Sequence, residues 1–120
     1  KIKLPFEPSI PAQIAGIAAL SDYRHLEQTL FENKKNMDKL ASTLNELGYK
    51  YIPSSTNFIT IVLESSDESL NLCNNLLKEG IIVRNLKGFG FPTCIRVTVG
   101  KEEEIQYLIE KLIAMNKLLI

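Results

Sequence analysis

The sequence has few of the residues from which metal sites and disulfide frameworks are built. Of its 120 residues, two are cysteine, one is histidine and none is tryptophan. Cys73 and Cys94 lie far apart without a Cys-x-x-Cys motif, which disfavours a disulfide framework and fits two small buried hydrophobes in a reducing cytoplasm. His25 has no cysteine or second histidine at ligand spacing, so the sequence predicts no metal site.

Charge and hydropathy argue against two further classes of partner. Lysine plus arginine and aspartate plus glutamate number 14 each, so no basic surplus exists for a phosphate backbone, and we expect no nucleic acid partner. The longest apolar runs reach only about six residues, against roughly 20 for a membrane-spanning helix, so we expect no membrane partner. The start KIKLPFEPSI has no apolar signal core, which predicts a cytoplasmic location without an export signal.

The remaining composition is that of an ordinary globular domain. The chain is 45% apolar and 23% charged, and its length suffices for one hydrophobic core. Hydrophobic periodicity and turn residues predict the order helix, helix, strand, strand, helix, strand, strand, helix. This order predicts an α+β fold, in which a small, mostly antiparallel sheet is covered on one face by helices. The predicted elements cover 12–20, 21–47, 49–53, 58–63, 67–79, 81–84, 94–99 and a last helix from 101.

The same periodicity predicts which helix faces are buried. In the second helix the predicted stripe comprises Tyr23, Leu26, Leu30, Met37, Leu40, Leu44 and Leu47. In the third helix it comprises Leu70, Cys73, Leu76 and Leu77, and in the last helix Ile105, Leu108, Ile109, Leu112 and Ile113. Ahead of the first helix, the three prolines of KIKLPFEPSIPAQ predict an extended lead-in, since proline is excluded from helix interiors and central strands.

Two arginines stand in a stretch without acidic residues, RNLKGFGFPTCIRVTVG at 84–100. Side chains alternate along a strand, so Arg96 lies on the face opposite to its apolar neighbours Ile95 and Val97. If the apolar face meets the helices, Arg96 lies on the open face, and Arg84 stands at a strand end near the same side. A guanidinium group presents a planar fork of donors that suits a carboxylate or a phosphate. Either an anionic ligand or an ordinary surface ion pair accounts for these arginines.

The loop KGFGFP between the last two strands is predicted to be a connector. Its Gly-x-Gly pattern lacks a later glycine and precedes a strand, which is the wrong context for a phosphate-binding loop. A flexible turn with Phe89 or Phe91 packed down fits it better. Asn57, just before the strand FITIV, is either a turn residue or a contributor of its side-chain amide to a site.

Three segments, in this order, resemble the C-terminal part of the histidinol-phosphate aminotransferase family: LPFEPSIPAQIAGIAAL, SSTNFITI and GIIVRNLKGFGFPTCIRVTVG. That family consists of pyridoxal-phosphate enzymes of fold type I. The most specific pieces are NFI at 57–59, GIIVR at 80–84 and IRVTVG at 95–100. The resemblance implies the small domain of such an enzyme at 21–120, preceded at 1–20 by an interdomain crossing segment and first helix.

The resemblance also implies residue roles. Arg96 would bind the α-carboxylate of the amino-acid substrate, and Arg84 would help to hold the phosphate end of histidinol phosphate. Asn57 corresponds to the asparagine of the family's NF motif, which lies near the site. For the full-length enzyme the resemblance implies pyridoxal 5'-phosphate as cofactor, a homodimer, and amino transfer between histidinol phosphate and 2-oxoglutarate in histidine biosynthesis.

The catalytic lysine of the family lies in a Ser-Lys motif of the large domain, and this chain contains no Ser-Lys motif. The resemblance therefore implies that the chain binds no cofactor covalently and is inactive without the missing large domain. Two alternatives remain open. One is another pyridoxal-phosphate enzyme such as a threonine-phosphate decarboxylase, and the other is a free-standing domain that binds a small carboxylate.

Overall fold

The computed structural model describes residues 7–116, and its elements follow the order that the sequence predicts. The helices are α1 (Ile10–Leu20), α2 (Tyr23–Glu46), α3 (Ser66–Lys78) and α4 (Glu102–Asn116). The strands are β1 (Lys50–Ile52), β2 (Phe58–Val62), β3 (Arg84–Asn85) and β4 (Cys94–Thr98), with a 3-10 turn at Lys87–Phe89. Residues 1–6 of the predicted extended lead-in lie outside the described part, and its residues from Ile10 onward belong to α1.

The chain divides into two compact units between Phe31 and Glu32. In the first unit, α1 begins at Ile10, two residues before the predicted start. The hydroxyl of Ser9 accepts a hydrogen bond from the Ala12 N–H at 3.4 Å, and Pro11 occupies the first turn, where its missing N–H costs nothing. None of the residues of α1 is buried. The second unit contains the sheet and the hydrophobic core.

The second unit is built on one four-stranded sheet with the strand order β1-β2-β4-β3. Each neighbouring pair is antiparallel, which confirms the predicted α+β fold. The longest ladder joins β2 to β4 and pairs Phe58 with Thr98 at one end and Val62 with Cys94 at the other. β4 therefore lies inside the sheet, between β2 and the short strand β3.

The hydrophobic core lies between one face of this sheet and three helices. Alternation along β2 and β4 directs Ile59, Ile61, Ile95 and Val97 to this face, and each is at most 3% exposed. The helices contribute apolar side chains at three- and four-residue intervals: Met37, Leu40 and Leu44 from α2, Leu72 and Leu76 from α3, and Ile105, Leu108, Ile109 and Leu112 from α4. The predicted stripe of the last helix is thereby confirmed.

Local hydrogen bonding fixes where α3 begins. The Ser65 hydroxyl accepts from the Glu68 N–H at 3.1 Å, while the Glu68 carboxylate accepts from the Glu64 N–H at 3.0 Å. This pair is similar to a capping box, with the carboxylate bonded to the residue before the N-cap, and the helix starts at Ser66, one residue before the predicted Asp67. At the other end Gly80 adopts a φ of +78°, which ends the helix as predicted.

The predicted buried stripes of α2 and α3 are wrong in part, and the predicted packing of the loop phenylalanines is wrong. Tyr23, Leu26 and Leu30 are 72%, 52% and 60% exposed, and this end of α2 belongs to the first unit, whereas the hydrophobic core belongs to the second. In α3 the predicted stripe is correct for Leu76, which is buried, and for Cys73, which packs partly against the core, whereas Leu70 and Leu77 are 36% and 56% exposed. The buried face also contains Ser69, whose hydroxyl forms hydrogen bonds inside the fold. In the loop, Phe89 and Phe91 are exposed rather than packed down.

The predicted strand at 81–84 is also shorter than expected. Only Arg84 and Asn85 pair with β4, and the apolar residues before them form no ladder. Ile82 is 85% exposed, although Ile81 and Val83 pack partly against the core. The β-branched composition of this run predicts a strand, but pairing is decided by where the chain meets its neighbour.

Candidate anion-binding site

Arg84 and Arg96 stand directly opposite each other in the antiparallel ladder of β3 and β4. Directly opposite residues place their Cβ atoms about 5 Å apart on the same face of the sheet. Ile95 and Val97, the neighbours of Arg96, are buried in the core, so Arg96 lies on the open face that the sequence predicts. The fold thus brings together the two arginines that the sequence singles out.

Arg96 is half-buried, and its immediate surroundings leave one donor unsatisfied. Its guanidinium carbon lies 5.3 Å from the centroid of the Phe58 ring, a cation–π geometry. Its Nε is buried and has no hydrogen-bond partner among the described residues. A buried donor without an acceptor costs free energy, and few such groups persist in native structures. The site therefore calls for an acceptor that residues 7–116 do not supply.

Arg84 is exposed at the rim of the same face. Its guanidinium carbon lies 5.6 Å from the centroid of Phe89, which the 3-10 turn after β3 carries. The turn closes at Gly90, whose φ of +86° lies in the left-handed region that favours glycine. The Phe89 ring and Arg84 lie at one edge of the site. Because Arg84 is exposed, its donors are accessible to a ligand.

The two positive charges have no acidic partner in the described chain. The ion pairs there involve lysines only, and neither Arg84 nor Arg96 takes part in one. Like charges on directly opposite residues destabilise an antiparallel pair. An anion bound between the two guanidinium groups would remove this repulsion. The arrangement can therefore hold a carboxylate or a phosphate group.

Asn57 lies next to this site without a visible side-chain role in it. It immediately precedes β2 and is exposed, and its carbonyl accepts a hydrogen bond from the Val99 N–H at 2.8 Å. The preceding turn is fixed by the Asn33 side chain, which donates to the Thr56 carbonyl at 3.2 Å. Within residues 7–116 no hydrogen bond joins the Asn57 side chain to either arginine, so its contribution to a site stays a prediction.

Comparison with known proteins identifies the family. Residues 1–112 match the family model of aminotransferase class I and II. The chain belongs to the aminotransferase class I and II family. This finding confirms the resemblance that the motifs at 57–59, 80–84 and 95–100 indicate, and it agrees with the α+β fold.

Individual aminotransferases are similar over most of this chain. The histidinol-phosphate aminotransferase of Campylobacter hominis is 38% identical over 112 residues, which is 93% of this chain and 30% of that protein. Among solved structures, histidinol-phosphate aminotransferase from Clostridium acetobutylicum superposes with a TM-score of 0.78 at 25% identity, over 89% of this chain and 33% of that one. The chain spans about three tenths of the length of the curated relatives it matches.

A further aminotransferase structure has a fold similar to that of the chain and contains the cofactor. Histidinol-phosphate aminotransferase from Sinorhizobium meliloti, solved in complex with pyridoxal-5'-phosphate, superposes with a TM-score of 0.80 at 22% identity. The match covers 88% of this chain and 29% of that protein. At this identity the similarity establishes the fold alone.

Sequence reasoning did not select two further residues beside Arg96 in the candidate site. Phe58 stacks on Arg96, and Thr60 stands directly opposite Arg96 on β2. A signal for both exists in FITIV: the alternation that buries Ile59 and Ile61 places Phe58 and Thr60 on the other face. This alternation alone does not place Phe58 and Thr60 beside Arg96, because the pairing of β2 with β4 depends on tertiary structure.

Cys73 on α3 is a reactive side chain outside the candidate site, and it packs partly against the hydrophobic core. Burial raises the pKa of the Cys73 thiol above its ordinary value, and a hydrogen bond from Asn85 offsets this effect in part. At neutral pH the thiol is therefore protonated and a poor nucleophile. In the part of the chain that the structure describes, no three His, Cys, Asp or Glu side chains cluster as metal ligands would. Across residues 7–116, no helix has the length and apolarity to span a bilayer.

Proposed function

We propose that this chain is the substrate-clamping small domain of a pyridoxal-phosphate-dependent aminotransferase. In the full-length protein the reaction is amino transfer between histidinol phosphate and 2-oxoglutarate, a step of histidine biosynthesis. Residues 21–120 form the small domain and residues 1–20 the segment that crosses to it from the large domain. The enzyme acts as a homodimer in the cytoplasm, where Cys73 and Cys94 stay reduced. Membership of the aminotransferase family and the names of its relatives support this proposal.

The observation that carries the proposal is the cross-strand pair Arg84 and Arg96 on the open face of the sheet. Histidinol phosphate carries a phosphate ester on the carbon beside its amine-bearing carbon, where glutamate carries its α-carboxylate. A reaction that alternates between these substrates needs one site for two kinds of anion. Two adjacent guanidinium groups provide enough donors for either.

The two arginines differ in exposure, and we assign their roles accordingly. Arg96 is half-buried with a free Nε, so it forms the fork that fixes the carboxylate of glutamate or 2-oxoglutarate. Arg84 stands exposed at the rim, and we assign it to the phosphate end of histidinol phosphate. Asn57, which immediately precedes β2, would contribute its side-chain amide near the same substrate. Fixing the anionic end of the substrate holds the reacting carbon in place, which is a large part of the work of an enzyme on a bimolecular reaction.

The described residues fit the substrate rather than the cofactor. The free Nε of Arg96 and the absence of an acidic partner within residues 7–116 match an anion that a substrate brings. Pyridoxal phosphate, when bound, supplies the electron sink for the chemistry at the amine-bearing carbon. We assign its covalent attachment to the large domain, because the chain has no Ser-Lys motif. The chain by itself is then inactive.

Replacing Arg84 tests the assignment of the phosphate end. In the full-length gene product, Arg84→Gln should raise the KM for histidinol phosphate by about 10- to 100-fold, since a hydrogen bond to a charged group contributes roughly 1.5–3 kcal/mol. The KM for 2-oxoglutarate should change far less, because Arg96 retains the carboxylate. Steady-state kinetics with each substrate varied in turn would measure both constants.

A matched control for this experiment is Lys78→Gln, which removes a positive charge at the end of α3, away from the sheet's open face. It should leave both KM values unchanged. Equal increases in the two KM values of Arg84→Gln would contradict separate roles for the two arginines. An unchanged KM for histidinol phosphate would remove Arg84 from the site.

A further inference from the structure

Strand β3 carries Arg84 into the site, yet it is only two residues long. Only two residues of β3 pair with β4, and the apolar residues before them form no ladder. This pairing alone fixes the position of Arg84 weakly. The following loop is mostly exposed, including Phe89, which stacks on Arg84. The position of Arg84 therefore depends on something other than the sheet.

That support is a buried hydroxyl on α3. Ser69 is 0% exposed in the hydrophobic core of the domain. Its Oγ donates to the carbonyl of Pro92 at 2.7 Å and accepts from the Asn85 side-chain amide at 3.0 Å. The carbonyl of Ser66 lies 2.9 Å away as a second acceptor for the same proton. One side chain thus connects α3 to both ends of the loop between β3 and β4.

Asn85 extends this connection into the loop. Its side-chain carbonyl accepts from the Lys87 N–H at 2.9 Å, which holds the first residue of the 3-10 turn. The turn continues through bonds from the Phe89 N–H and the Phe91 N–H to the Leu86 carbonyl. Asn85 is the chain neighbour of Arg84 on β3, so its side chain fixes the strand from the face opposite to the ligand.

We propose that Ser69 is a positioning residue for the phosphate end of the substrate, acting through Asn85 on Arg84 and Phe89. The inference rests on the proposed function, in which Arg84 holds that phosphate. Physically, a buried hydroxyl is costly unless its hydrogen bonds are formed, so the three groups hold one arrangement together. Without the hydroxyl, Asn85 and Pro92 lose a shared partner and β3 is free to shift. A shift of about 1 Å at a substrate-holding group can weaken productive binding considerably.

The test is a double-mutant cycle between Ser69 and Arg84 in the full-length gene product. Ser69→Ala should raise the KM for histidinol phosphate about tenfold and leave the KM for 2-oxoglutarate nearly unchanged. In the Arg84→Gln background the same change should have no further effect, because the residue through which it acts is gone. Ser42→Ala, a serine exposed on α2, is the matched control and should alter neither constant.

Hydrogen exchange provides a readout that does not involve the substrate. The amide protons of Lys87 and Cys94, at the two ends of the loop, should exchange faster in Ser69→Ala than in the parent or in Ser42→Ala. If Ser69→Ala does not fold, Asn85→Ala breaks the same connection at a half-buried position and should reproduce both effects. Asn85→Ala leaves the bond from Ser69 to Pro92 in place, so the core side of the connection is preserved.

The exchange rates and the KM values test two claims separately: that Ser69 anchors the loop, and that this anchoring positions Arg84 for the substrate. Unchanged exchange at Lys87 and Cys94 would overturn the anchoring role of Ser69. Faster exchange, together with a KM effect of the same size in the parent and in Arg84→Gln, would show that Ser69 acts on stability alone and would overturn positioning. If Arg84→Gln itself leaves the KM for histidinol phosphate unchanged, the proposed role of Arg84 fails, and the inference fails with it although the anchor is real.

Discussion

Arg96→Ala should lower kcat/KM for 2-oxoglutarate by about 100- to 1,000-fold in the full-length gene product. The substitution removes two charge-assisted hydrogen bonds at the carboxylate, and their loss corresponds to roughly 3–4 kcal/mol of transition-state stabilisation. The Phe58 ring also loses the guanidinium that lies 5.3 Å from its centroid. Initial rates of glutamate formation at varied 2-oxoglutarate would measure the change.

Arg96→Lys separates charge from geometry in this prediction. A lysine keeps the positive charge but cannot form the planar fork, so we expect a rate between those of the parent and Arg96→Ala. The Ile82→Ala variant, whose side chain is 85% exposed, serves as the control for general damage. A tenfold or smaller loss in Arg96→Ala would contradict the assignment of Arg96 as the carboxylate fork. Such a loss is smaller than the contribution of even one charge-assisted hydrogen bond.

Ile95→Ala should reduce the free energy of unfolding of the 120-residue chain by about 2–5 kcal/mol, the usual cost of deleting a buried aliphatic side chain. Ile95 is fully buried at the centre of the sheet and pairs with both Ile61 and Asn85. This position therefore links β4 to both of its neighbouring strands, β2 and β3. Urea unfolding followed by circular dichroism would give the free energy.

The Ile82→Ala variant is also the control for this stability prediction. Ile82→Ala deletes the same atoms at a position that is 85% exposed, so it should cost less than about 0.5 kcal/mol. Equal losses for the two variants would show that β4 is not the centre of the folded core. Such a result would also remove the physical basis for placing Arg96 on the opposite face.

Periodicity in the sequence was sufficient to predict most of the fold. The alternation of CIRVTV correctly assigns Ile95 and Val97 to the core and Arg96 to the open face. Leucine and isoleucine spacing correctly predicts the buried stripe of α4. Both predictions depend only on local geometry, since strand pleat and helix pitch fix which neighbours share a face.

Features set by long-range contacts could not be predicted in this way. The pairing of Arg84 with Arg96 depends on where the loop after β3 closes, and that closure uses the hydroxyl of Ser69 on another helix. A serine among leucines gives no signal of this role. Similarly, the apolar residues at the start of α2 have the periodicity of a buried face, but periodicity does not reveal whether the described chain covers it.

The most direct test of the central claim is an assay of the full-length gene product with histidinol phosphate, 2-oxoglutarate and pyridoxal phosphate. We predict that glutamate forms, and that the 120-residue chain alone forms none and binds histidinol phosphate far more weakly than the full-length protein. A folded, cofactor-loaded full-length protein that forms no glutamate would contradict the account. So would binding of histidinol phosphate by the isolated chain as tight as by the full-length protein, which would instead favour a free-standing anion-binding domain.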